Sequence, residues 1–155
     1  MKIPSLALIH ALIGKSIAEV LLVGALALFA YLSVLPAHFH GWGELTDTGI
    51  AGWAVNNAKP WARVECQFFL DGTFTATGVA NEPRPDVARA GWAKDEWHGY
   101  SFPLTSVSVG NHEARVYALH DAGDGRRKTL QLLGEPILFN VDAQGKLKRI
   151  PLFLK

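Results

Sequence analysis

Between Ile3 and Leu35 the chain is apolar with few interruptions, and from Gly41 onward apolar and polar residues alternate. The change of period falls near Pro36 and divides the sequence into a helix followed by a β domain. In Ile17 to Leu35, IAEVLLVGALALFAYLSVL, Glu19 is the one residue with a formal charge. At about 1.5 Å per residue this run covers close to 30 Å, the thickness of a bilayer's hydrocarbon core, and a helix satisfies its backbone polar groups internally where water is absent. A soluble core helix is rarely apolar on every face. The pattern predicts a membrane anchor over 1–36, with a single transmembrane α-helix over about 17–35. Pro4 suits a first helical turn, so the helix can begin near residue 5. A signal-peptide apolar region is about 7 to 15 residues long, shorter than this run, so Ala25-Leu26-Ala27 is not read as a cleavage site and a permanent anchor is expected.

The second pattern, over 41–142, has turn residues every 8 to 12 positions and predicts an antiparallel β-sandwich of about seven to nine short strands. A first hairpin runs through Trp42–Leu45, Asp47–Gly49 and Ile50–Val55, and Asn56-Asn57 and Lys59-Pro60 then break the chain. The clearest pair is Ala62–Leu70 with Thr73–Ala80, joined by Asp71-Gly72, a dipeptide suited to a two-residue hairpin turn. Val64, Cys66, Phe68 and Leu70 then face the core, and Thr73, Thr75 and Thr77 on the partner strand face outward. Later strands are expected at Tyr100–Leu104, His112–His120, Thr129–Leu133 and Ile137–Val141, separated by turns at Gly110-Asn111, Asp121–Gly125 and Ala143–Gly145. Asn81–Gly91 contains two prolines, which exclude a central strand and predict a loop leading into one helical turn. In that turn Pro85 takes the first position, Asp86 the positive end, and Gly91 a left-handed cap. Arg84 and Asp86 read as structural pins for this crossover, with a ligand-binding pair as the alternative. The basic and apolar tail, 143–155, is expected to fray unless something holds it.

Charge sets the orientation. Lys2 and Lys15 precede the span and no Lys or Arg follows it before Lys59, so the N-terminus is expected in the cytoplasm of a bacterial inner membrane and the β domain on the periplasmic side. Tyr31, His38, Phe39, His40 and Trp42 mark the outer interface. Lys15 and Glu19 stand four apart on one helix face and read as a snorkelling ion pair. The alternative gives Glu19 or His10 a contact with another membrane subunit or with a bound pigment or cofactor, because polar groups at membrane depth are costly. Gly24, Ala25 and Ala27 form a patch of small side chains that a second helix could approach.

Composition narrows the chemistry. The 155 residues leave about 115 after the anchor, enough for one ordinary domain, and a net charge of +1 gives no ground for a nucleic-acid partner. The single cysteine, Cys66, excludes an intramolecular disulfide and reads as a small buried hydrophobe. No G-x-S-x-G, H-E-x-x-H, P-loop or G-x-G-x-x-G motif is present, no cofactor is predicted, and the reading is non-enzymatic. His38 and His40 are weak metal candidates without an adjacent third ligand. His98, His112 and His120 are dispersed, as are the carboxylates that could form a glycosidase pair. The five tryptophans carry the best argument for binding. Trp53 is expected in the core, whereas Trp61, Trp92 and Trp97 lie near turns where an indole can stack on a sugar or anchor a protein interface.

Gly52-Trp53-Ala54, Leu70-Asp71-Gly72, Asn81-Glu-Pro-Arg-Pro-Asp-Val87 and His98-Gly99-Tyr100 occur in one order. With them the stretch from about Gly41 to Asn140 resembles the small β-sandwich module of actinobacterial wall hydrolases and golvesin-type proteins, often described as similar to a carbohydrate-binding domain. It also looks like modules appended to bacterial polysaccharide-synthesis proteins. The resemblance implies a mainly β, Ig-like or carbohydrate-binding-like antiparallel sandwich, and its shared positions look like turn and packing positions. Anchor and β domain together give two readings of function, the first the main expectation and the second its alternative. One is a single-pass accessory subunit whose outward β domain packs onto a larger membrane complex, respiratory or photosynthetic assemblies being one candidate. The other is a membrane-tethered module that binds cell-wall polysaccharide or another glycan.

Overall fold

The computed structural model describes residues 6–34, 39–121 and 128–151. The chain divides into two compact units, Met1–Leu35 and Pro36–Lys155. In the first, α1 runs from Leu6 to Val34 as one unbroken 29-residue helix. Its segment His10–Tyr31, 22 residues, is long and apolar enough to cross a membrane. At 1.5 Å per residue those residues span about 33 Å. Every described side chain of that segment is exposed, as an apolar helix with no polar stripe requires if its surroundings are themselves apolar.

The second unit is mainly β. Its strands are β1 (Phe39–Leu45), β2 (Gly49–Asn56), β3 (Glu65–Leu70), β4 (Thr73–Val79), β5 (Glu82–Pro83), β6 (Trp97–Pro103), β7 (Gly110–Asp121), β8 (Lys128–Leu132), β9 (Ile137–Val141) and β10 (Leu147–Arg149), with a short helix α2 (Pro85–Arg89) between β5 and β6. They form two antiparallel sheets. One has the order β1-β2-β6-β5, and the other β10-β9-β7-β3-β4, with β8 also on β7. Asp71 (φ +50°) and Gly72 (φ +77°) both lie in the left-handed region, which makes the β3–β4 connection a two-residue turn whose twist matches its strands. Pro83 sits on an edge strand, where a missing N–H does no harm.

The two sheets share one core. Ile50, Ala54, Tyr100 and Phe102 of the first meet Cys66, Phe68, Ala114, Val116, Ala118, Phe139 and Val141 of the second. Phe68 and Phe102 stack with ring centroids 5.3 Å apart. Cys66 is fully buried, and desolvation pushes its thiol up to about 12, so it packs as a hydrophobe and is not a nucleophile at neutral pH.

Two differences from the sequence reading have local causes. Leu147–Arg149, placed in the fraying tail, forms β10 on β9, because pairing with a preformed edge supplies hydrogen bonds that three residues could not organise alone. Phe74, on the face opposite the outward threonines, is 52% exposed. The β3–β4 register shifts between Phe68 and Phe69, so Phe68 faces Ala76 while Phe69 faces Phe74. The extra residue turns Phe74 to the outer face, where Phe69 packs edge-on against both Phe74 and Tyr117.

Candidate ligand-binding site

Three of the four resemblance motifs meet in the first sheet through strand register, while Leu70-Asp71-Gly72 makes the β3–β4 turn of the second. Gly52 lies opposite Tyr100, Trp53 opposite Gly99, and Glu82 opposite Gly99 on the other side. Tyr100 Oη donates to the Trp42 carbonyl at 3.2 Å. A side chain at Gly99 would meet Arg84 Cγ at 2.9 Å, so this glycine makes room for the arginine stem. The motifs are thus packing positions, and the loops that they fix carry the candidate site.

Those loops are 57–63 and 90–96. Asn56 Oδ1 accepts from the Ala58 and Lys59 amides and turns the first loop. Lys94 N–H donates to the Pro60 carbonyl at 3.3 Å and ties the second loop to it. The second loop begins where α2 stops. Gly91 (φ +80°) is the left-handed residue after the helix, its N–H donates to Ala88 and that of Trp92 to Val87, which is a Schellman cap. Trp92 is further held by ring contacts with His40 at 4.7 Å and Trp53 at 6.3 Å. Behind it Val55, Val87 and Ala93 form a small separate core against which Trp53 packs half-buried. Between the loops lies a cleft of about 410 Å³ lined by Asn57, Pro60, Gly91, Trp92, Ala93 and Lys94. An adjoining cleft of about 400 Å³ includes Lys59, Arg63, Glu65 and His120.

Trp61, Trp92 and Trp97 are 62%, 47% and 47% exposed. Trp92 lines the cleft, while Trp61 and Trp97 flank a polar cluster beside it. In that cluster Arg63 Nη2 donates to Asp95 Oδ2 at 3.1 Å, Arg63 Nη1 lies 3.2 Å from His98 Nε2, and Asp95 Oδ1 accepts from the Trp97 amide. His98 is completely buried. A guanidinium can only donate, so Nε2 accepts and the neutral ring carries its proton on Nδ1, a buried atom with no hydrogen-bond partner among the described residues. Burial, then the Arg63 charge, lowers the His98 pKa. Protonation of His98 therefore opposes the folded loop: its contribution is complete above the ordinary value of 6.5 and fades as pH falls through the lowered one. His98→Gln should flatten the acid side of the loop's stability profile, read as Trp fluorescence against pH. An unchanged acid transition would reject this.

Arg84 and Asp86 form a bidentate pair, Nε to Oδ1 at 2.8 Å and Nη2 to Oδ2 at 2.7 Å. Its side chains are 30% and 54% exposed. The Arg84 hydrogen bonds pull the Asp86 carboxyl down to about 2. An exposed pair is screened by water, so Asp86→Ala should lower the melting temperature little. That small contribution is complete above the ordinary value of 3.8 and vanishes as pH falls toward 2. A large loss at neutral pH would contradict this.

At the hairpin turn, His112 Nδ1 meets Asp71 Oδ2 at 2.7 Å, and Nε2 meets the Ser108 carbonyl at 2.9 Å and Ser108 Oγ at 3.4 Å. The atoms are those of a hydrolytic triad, but the protonation is not. A carbonyl at Nε2 demands a donated proton, so this histidine cannot serve as a base for the serine hydroxyl. It is an imidazolium clamp. The Asp71 bond raises the His112 pKa, and the same bond lowers that of Asp71. The clamp is complete above the ordinary aspartate value of 3.8 and below the ordinary histidine value of 6.5. It is lost as pH rises through the raised histidine value or falls through the lowered aspartate one. The stability difference between the parent and His112→Asn should be greatest inside that window, and a difference independent of pH would reject the clamp.

On α1, Lys15 Nζ lies 3.5 Å from Glu19 Oε1. His10, Glu19, Gly24 and Ala27 are exposed, and nothing lies within 4 Å of a side chain built at Gly24. His38 lies outside the described residues, and His40 contacts Trp92. Among the described residues no three His, Cys, Asp or Glu side chains come together as metal ligands. The sequence reading names neither Asn57, Pro60 and Lys94 as cleft residues nor Arg63 and Asp95 as partners of His98. No family model matches the chain, and no curated protein and no solved structure matches it.

Proposed function

We propose that the chain is a non-enzymatic, membrane-tethered glycan-binding module: a carbohydrate-binding-like β-sandwich held outside a bacterial inner membrane by α1, with the N-terminus in the cytoplasm. The observation that carries this reading is the cleft beside Trp92. An indole offers a flat apolar face for the C–H face of a pyranose, and an amide and an ammonium beside it suit hydroxyl groups. Its volume falls in the range of small-ligand sites, which is about 300 to 1,000 Å³. Trp92 is fixed by a helix cap and two ring contacts, so little order has to be gained on binding. The test uses the full chain in nanodiscs. Extracted surface polysaccharide should retain it, and Trp92→Ala should release it.

A second reading, an accessory subunit of a larger membrane complex, is favoured by α1, which carries Glu19 and Gly24 among exposed apolar side chains. It predicts a companion protein that co-elutes in mild detergent, with no retention by polysaccharide. Both readings share one topology: protease added to spheroplasts should digest the β domain and spare α1. Protection of the whole chain would reverse the orientation.

A further inference from the structure

We propose that the cleft selects acidic sugars, with Trp92 as the platform for the ring, Lys94 as the partner of its carboxylate and Asn57 as a hydroxyl contact. This rests on the glycan-binding reading and deepens it. The argument is one of charge. Among the described residues no carboxylate lines the cleft, and Lys94 is the single charged residue that does. Two acids of the same connection already have cations: Asp95 is held by Arg63, and Asp86 by Arg84. Glu96 lies on the loop but outside the lining. Among the described residues Lys94 makes no ion pair. Its backbone is nonetheless fixed by the bond to Pro60, so an unpaired ammonium is presented from a constrained loop.

A neutral sugar would leave that charge to water. A uronate would pair with it at the mouth of an aromatic cleft, where one ion pair in partly screened surroundings is worth about tenfold in affinity.

The probes are tetragalacturonate and its methyl ester, which differ in charge while sharing the sugar. Each is titrated into the full chain in nanodiscs of zwitterionic lipid, at low and at high salt. The acid should bind about tenfold more tightly than the ester at low salt, with the gap closing at high salt. Lys94→Met should bring the acid to the level of the ester, whereas Lys148→Met, exposed on β10 of the other sheet, should leave the gap intact. Equal binding of acid and ester by the parent would overturn the selection and leave the glycan reading standing, as would an acid preference that survives Lys94→Met. If neither probe binds, and polysaccharide does not retain the protein, both fall together. Lys94 is exposed, so its loss does not threaten the fold, and an unchanged melting temperature of the variant verifies that.

Discussion

Gly52→Ala should lower the melting temperature of the β domain by at least about 10 °C, the equivalent of some 2 kcal/mol or more in a domain of this size. A methyl at this position would sit 2.1 Å from the Trp42 carbonyl oxygen, 2.5 Å from Tyr100 Oη and 2.6 Å from Tyr100 Cζ. The first neighbour is backbone in the paired strand β1, where Gly43 lies opposite Gly52. The second is the hydroxyl of a tyrosine 2% exposed, hydrogen-bonded to that same carbonyl. Neither can move alone. Displacing Tyr100 breaks its bond and opens the core at Phe102, 5.7 Å away ring to ring, while displacing β1 breaks a ladder. Gly14→Ala provides the control, since nothing lies within 4 Å of the added methyl and alanine suits a helix interior. The measurement is thermal unfolding of the full chain in detergent, followed by near-UV circular dichroism. A shift of only a degree or two for Gly52→Ala would mean that Tyr100 does not cover this strand.

That glycine also shows what the sequence could and could not reveal. The transmembrane-length helix was legible because its signal is local: an apolar run needs no partner to be recognised. The β3–β4 hairpin was legible for the same reason, since Asp71-Gly72 specifies its own turn. Gly52 and Tyr100 were visible as motif residues, but their meeting depends on the β2–β6 register, 48 positions apart in the chain. The cleft is a harder case. Asn57 and Pro60 read only as chain breakers, Lys94 belongs to no motif or periodic pattern, and one hydrogen bond from Lys94 to Pro60 brings the loops together. Alternation failed at Phe74 because a bulge adds a residue and reverses the side-chain faces beyond it. His98 looked like one of several scattered histidines, and its partner Arg63 is 35 positions away.

Phe68→Ala should cost about 3 to 5 kcal/mol, a large share of the 5 to 15 kcal/mol that holds a typical domain together. The ring is 1% exposed and lies nearly parallel to Phe102, with 16° between the planes. Phe68 belongs to β3 and Phe102 to β6, so this stack ties one sheet to the other. Truncation removes apolar burial and leaves a void between two sheets whose backbones are each fixed by their own ladders, so the walls can collapse only in part. Phe74→Ala is the matched control on the same hairpin. It removes the same ring from the outer face, where Phe74 is 52% exposed and touches Phe69 edge-on, and it should cost under about 1 kcal/mol. Chemical unfolding of the full chain in detergent measures both. Similar losses for the two would mean that the sheets do not share a core through Phe68. A large gap between them would fix the stack as the joint of the domain, and the surviving folded fraction of Phe68→Ala should then still bind sugar with unaltered affinity, because the cleft residues rest on the separate cluster of Val55, Val87 and Ala93.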